Sequence, residues 1–165
     1  MAQTASIAAK QFVIFLSDSQ TGVGPAVSNL AADSGIALAP IPPEHIISQN
    51  VPVAIAERSS AVKYPVVHVY SNRVRNLLTE KFRMFSGKIQ TVAEIRVSQD
   101  RIEGLEDQAR LYADAVTQVL DGNRGSWGQG MFYAGGYDVS FDPVSQGGRN
   151  LLQIARVTFE VDLSS

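Results

Sequence analysis

The sequence predicts an α+β fold: a four-stranded, mainly antiparallel sheet with one main amphipathic helix packed on a face, preceded by an N-terminal helical segment and an extended arm. Three observations lead there. Ile89, Thr91, Ala93, Ile95 and Val97 alternate with Gln90, Val92, Glu94 and Arg96, the period of two expected of a strand with one buried and one mostly wet face. Ile102, Leu105, Ala109, Tyr112, Val116 and Val119 then recur at spacings of three and four, which places them on one helical stripe. Near the C-terminus Ala155, Val157, Phe159, Val161 and Leu163 alternate with Arg156, Thr158, Glu160 and Asp162. An apolar strand face must be covered, and the helix that follows is the nearest candidate.

The elements read in order as parts of a single domain over residues 1–165. Residues 1–56 form a helical segment and a Pro-rich arm, and residues 57–165 form the sheet-and-helix core. Ile7 to Leu16 reads as a short apolar helix suited to burial under a sheet or against a neighbouring subunit. A second, weaker helix runs through Ala26, Val27, Leu30 and Ala31 and ends at Gly35. Pro40, Pro42 and Pro43 cannot belong to a helix interior. His45 to Ser60 favours extended structure, although Pro52 marks an edge or an irregular arm. Val62 to Tyr70 is a strand whose beginning Pro65 makes an edge or an unpaired lead-in, and Ser71 to Lys81 is a polar connection. Phe82, Met84 and Phe85 introduce the long strand, with a bend or bulge at Gly87. Asp100 with Glu103 forms a capping-box-like pair for the main helix, and Gly122 with Asn123 supplies a left-handed stop. Trp127 follows among glycines. Tyr137, Val139 and Phe141 then pair with the last strand across a long polar loop from Pro143 to Asn150.

Composition narrows the function classes. Apolar residues make up 45% of the 165-residue chain and charged residues 18%, which suits a globular domain. No apolar run approaches the ~20 residues of a membrane span, and Ile7 to Leu16 does not read as a signal peptide. The lack of cysteine excludes disulfides and thiolate metal sites and fits a reducing cytosol. A net charge of −2 argues against global electrostatic capture of nucleic acid.

Motifs with catalytic chemistry are weak. Gly22 and Gly24 lack the Gly-Lys-Ser/Thr of a phosphate cradle. His45 and His68 have no partner at metal-ligand spacing, and His68 reads as structural. Asp138, Asp142, Glu160 and Asp162 fall on outer strand faces. They form a solvated surface or, in a remote alternative, the site of a small metal-dependent enzyme or nucleotide-binding module. Arg73, Arg75, Lys81, Arg83 and Lys88 make a basic run interleaved with Phe82 and Phe85, which suit a core or a subunit contact better than single-strand binding. Trp127, with Met131, Phe132 and Tyr133, fits either the buried end of the helix or a subunit interface.

Several stretches taken together resemble a family of tailed-bacteriophage and prophage proteins, the small tail-terminator and neck proteins of the head–tail junction. They are Lys81 to Gly87, Glu94 to Asp100, Asp121 to Trp127, Gly130 to Tyr137 and Arg156 to Asp162. The resemblance covers about residues 57 to 163. It implies a structural virion protein, not an enzyme, that assembles into a homo-oligomeric ring, commonly a hexamer. Such a ring ends tail-tube polymerisation and docks the tail to the head, in contact with tube and neck or connector proteins. DNA passes through its lumen without specific binding. The alternative within the same class is a head-side neck protein. The implied location is the virion, with the host cytoplasm during assembly. No catalytic, cofactor or metal residue follows from the resemblance. The expected subunit or partner contacts are Arg73, Arg75, Phe82, Phe85, Trp127, Gln146 and Arg149.

Overall fold

The computed structural model describes residues 4–58, 63–78, 84–147 and 149–165. Two helices open the chain, α1 (Thr4–Ser17) and α2 (Val23–Ser34), followed by a short β1 (Ile46–Ile47) and α3 (Val53–Arg58). Next come β2 (Val66–Asn76), β3 (Ser86–Gln99) and α4 (Leu105–Asp121). Five strands complete the fold: β4 (Gly125–Gly128), β5 (Met131–Tyr133), β6 (Tyr137–Phe141), β7 (Ser145–Gly147) and β8 (Asn150–Ser164).

The class is α+β, but the expectation of four strands and one main helix is wrong. Among the described residues the sheet has eight strands and is mixed, in the order β1-β2-β3-β8-β5-β4, with β6 and β7 also paired to β8, and four α-helices accompany it. β8 explains the difference. Its 15 residues bond to β3 along one side, while β5, β6 and β7 share the other. β6 is one of the four strands expected, whereas β5 and β7, at three residues each, are too short for an alternating pattern to mark them. β1 adds a parallel pairing, with Ile46 opposite Val67.

α1, α2 and α4 form a helix layer on one face. α4 places Leu105, Ala109, Tyr112, Val116 and Val119 in the core, over a sheet face that includes Ala93, Ile95, Val157 and Phe159, all buried. Its start differs from the expected capping box. Gly104 is the N-cap in a left-handed conformation (φ 78°) with no side-chain cap bond, and Ile102 is exposed. The Gln99 side chain organises this entry instead, donating to the carbonyls of Arg101 and Glu103 at 2.7 Å each. At the far end Gly122 is right-handed (φ −76°), not left-handed, and the Asn123 amide donates to the Val119 carbonyl. In α1, Ala8, Ala9, Phe12 and Leu16 form the buried stripe against the sheet.

The arm wraps around the β2 side of the sheet. Ala39 accepts a hydrogen bond from the Tyr112 hydroxyl on the helix side, β1 runs beside β2, and Val51 reaches Arg96 on the opposite face. The ambiguous stretch at His45 to Ser60 therefore holds a 3-10 turn (Pro43–His45), β1 and α3. Strand β2 begins after a cis Tyr64–Pro65 bond and continues to Asn76, so Ser71 to Asn76 is strand and not a connection. Its bulge lies between Ser71 and Arg73, not at Gly87. Gly87 has another reason to be glycine: a Cβ there would lie 1.8 Å from the Arg75 carbonyl oxygen. The expected start of the long strand at Phe82, the start of the first strand at Val62, and Gly148 lie outside the described residues.

Candidate functional site

The sheet face opposite the helix layer carries the polar chemistry. Glu94 and Arg96, expected on a wet face, are 5% and 3% exposed. The Arg96 guanidinium pairs with Glu94 through Nε at 2.7 Å, and it also donates to the Val51 carbonyl of the arm. Arg156 reaches the other Glu94 oxygen at 2.9 Å and Asp142 at 2.6 Å, and the Tyr70 hydroxyl donates to Glu94 at 3.2 Å. Charges taken out of water must be paired and hydrogen-bonded to be tolerated, and here β2, β3 and β8, the arm at Val51 and Asp142 just after β6 supply the partners. His68 lies beside this network, 2% exposed, its Nδ1 without a partner among the described residues. Burial, followed by the Arg96 charge, lowers the His68 pKa below its ordinary value.

Further along the same face the network gives way to a shallow, open cavity of about 370 Å³ lined by Lys88, Gln90, Tyr137, Asp138, Glu160 and Asp162. Lys88 takes up two of the carboxylates, Asp162 at 2.9 Å and Glu160 at 3.7 Å. The hydrogen bond to Asp162 and its charge hold the Lys88 ammonium above its ordinary pKa. The four carboxylates singled out in the sequence are therefore divided. Asp142 belongs to Arg156, Glu160 and Asp162 belong to Lys88, and Asp138 makes no ion pair among the described residues. Among the described residues no three His, Asp or Glu side chains are grouped to hold a metal ion. The two histidines stand apart in role, with His45 Nδ1 2.9 Å from the Pro65 carbonyl oxygen.

Two of the expected contact residues are buried inside the chain. Trp127 is 6% exposed and sits among Phe12, Phe15, Tyr133 and Phe159, with ring centroids 5.1 to 6.1 Å away. Its indole N–H donates to the Asn123 carbonyl at 2.6 Å. Phe85 is 7% exposed and joins the same core. Neither offers a surface to a partner in this structure. Arg73 and Arg75 are exposed on β2, Gln146 and Arg149 are exposed near the β7–β8 turn, and Phe82 lies outside the described residues. That turn is not the long loop expected: Ser145, Gln146 and Gly147 pair with Leu152, Leu151 and Asn150, leaving residues 148 and 149 between the strands. Val139 and Phe141, whose alternation with Asp138 and Ser140 suits a buried strand face, are 38% and 40% exposed.

Exposed apolar side chains include two groups, with Ile14, Ile55 and Ile102 exposed singly elsewhere. Leu77, Met84 and Phe132 are 53%, 76% and 51% exposed at one end of the sheet, where Leu77 and Phe132 flank a groove of about 300 Å³. Tyr137, Val139 and Phe141 form a second group on β6. No protein-family model matches the chain, and no curated protein matches it. Among the described residues no helix is long and apolar enough to cross a membrane.

Proposed function

We propose that this is a structural virion protein that assembles into a ring at the head–tail junction of a tailed bacteriophage, ends tail-tube polymerisation and docks the tail to the head. The observation that carries the reading is where polar and apolar groups are spent. The buried charges of β3, Glu94 and Arg96, are tied to each other and to Arg156 of β8, while large apolar side chains stand exposed at the sheet end and on β6. Exposed apolar patches mark sites of association, whereas a catalytic centre calls for titratable groups converging on an enclosed cleft. The phage resemblance of residues 57 to 163 supplies the kind of assembly.

The test is the purified chain, measured by size-exclusion chromatography with light scattering, imaged by electron microscopy, and then added to polymerising tail tubes. A multi-subunit ring that halts tube growth is expected. A chain that stays monomeric, alone and with tubes, overturns the proposal.

A further inference from the structure

The sheet ends in two open edges, and they match one another. Among the described residues, the outer side of β2 beyond β1 has no strand partner from Val69 to Asn76, and β6 is bonded to β8 alone. Natural sheets guard such edges with lysine, proline or bulges because unpaired N–H and C=O groups recruit other strands. β6 carries none of these guards within Tyr137–Phe141.

Backbone phase shows which residues face outward. The Asp142 N–H bonds to the Ile154 carbonyl, so the even-numbered residues of β6 bond inward to β8, and Tyr137, Val139 and Phe141 turn their backbone groups to the open side. The Leu77 N–H bonds to the Ser86 carbonyl, which by the same alternation turns Val74 and Asn76 outward on β2. Strand directions also agree. β6 is antiparallel to β8, β8 to β3 and β3 to β2, so a second copy that continues the sheet sets its β2 antiparallel to β6.

The side chains complement each other on both faces. On the helix side, Val139 and Phe141 of β6 and Val74 of β2 are each about two-fifths exposed, at 38%, 40% and 40%. On the opposite side β2 offers Arg73 and Arg75, with no acidic residue between Tyr70 and Leu78, and β6 offers Asp138 and no base. Arg75 stands opposite Lys88 in the β2–β3 ladder; Lys88 has Asp162 and Glu160 as partners, whereas Arg75 makes no ion pair among the described residues. If outward-facing Val139 is placed opposite outward-facing Val74, Asp138 falls opposite Arg75.

The geometry points to a second copy of this chain as the occupant of both edges: β6 of one subunit adds to the exposed half of β2 of the next, head to tail, with Asp138 paired to Arg75. A head-to-tail contact of this kind closes into a ring when the rotation per subunit permits, and edge addition is an established mode of strand recognition. This inference rests on the ring reading and names its junction.

The experiment uses the full-length chain in light scattering. Proline at an outward-facing position blocks pairing while sparing the inner ladder, so Val139→Pro and Val74→Pro, each checked for native circular dichroism, should each be monomeric. Mixed together they should give a one-to-one dimer, because one variant keeps the β2 edge and the other keeps β6. Separately, Asp138→Arg and Arg75→Asp should each raise the concentration for half-assembly at least about tenfold, and the double exchange should recover most of that loss. Wild-type rings that survive all four single variants would overturn the junction and leave the ring standing. A wild-type monomer would overturn both. Folded proline variants that remain unable to dimerise when mixed would refute the head-to-tail pairing.

Discussion

Replacing Glu94 with glutamine tests whether the buried ion network holds the arm to the sheet. The substitution keeps the shape and removes one charge, leaving Arg96, at 3% exposure, beside a neutral amide, its other contact being the Val51 carbonyl. Removing one partner of a buried pair costs roughly 3–5 kcal/mol, because the remaining charge stays desolvated. Total stability for a chain of this length is on the order of 8–25 kcal/mol, so Glu94→Gln should fold but unfold at clearly lower urea. The double variant Glu94→Leu with Arg96→Met leaves no unpaired charge between those positions and should lose less than the single one. Urea titration at pH 7, followed by circular dichroism with the m-value checked for constancy, reads both. A loss below about 1 kcal/mol for Glu94→Gln, the scale of an exposed pair, would refute the burial argument. So would a double variant weaker than the single.

Three further outcomes follow from the packing. Leu105→Ala should destabilise by about 2–5 kcal/mol in the same titration, since Leu105, the first residue of α4, is fully buried against the sheet; a change under about 0.5 kcal/mol would place the side chain at the surface. His68 has a lowered folded pKa, so the unfolded chain takes up its proton first. Its contribution is therefore fully present above about pH 6.5 and is lost as pH falls through the folded value. Stability of the wild type should drop on acidification below that point, and a His68→Leu variant should show a shallower drop. Gly87→Ala should push β2 away from β3 at Arg75 and cost about 1–3 kcal/mol, visible as faster amide exchange at Leu77, whose N–H bonds to Ser86.

The long elements were legible because each carries its pattern over many residues. The apolar stripe of α4, and the alternation of β3 and β8, need only their own sequence to be seen. What escaped was decided by neighbours. Asp100 and Glu103 match a capping box, yet Gly104 at φ 78° sets the helix start one residue before Leu105, beyond the reach of that pair. Glu94 and Arg96 fit a wet strand face, and the sequence holds no sign that the arm would fold over them. Among the contact residues, Trp127 was ambiguous for a physical reason. An aromatic side chain in glycine-rich surroundings suits both a core and an interface, and only the placement of Phe12 and Phe15 from α1 decides for the core.

The case of β6 differs, because there the sequence signal and the structure of one chain disagree. Tyr137, Val139 and Phe141 alternate with Asp138 and Ser140 as cleanly as Val157 and Phe159 alternate with Arg156 and Thr158. Both sets lie on the helix side of the sheet, paired residue for residue: Val139 with Val157, and Tyr137 with Phe159. Yet Val157 and Phe159 are buried, while their partners are 38% exposed. The helix layer rests on β2, β3 and β8 and leaves β6 beyond its cover. A period of two in the side chains reports which face meets an apolar surface, without saying whose surface it is. For β8 that surface is the chain's own α4 and α1. For β6 the chain provides none, and the apolar face continues past the helices onto an unguarded edge. The same strand thus reads as core in the sequence and as surface in the isolated subunit, and both descriptions hold if a neighbouring copy completes the layer over Val139.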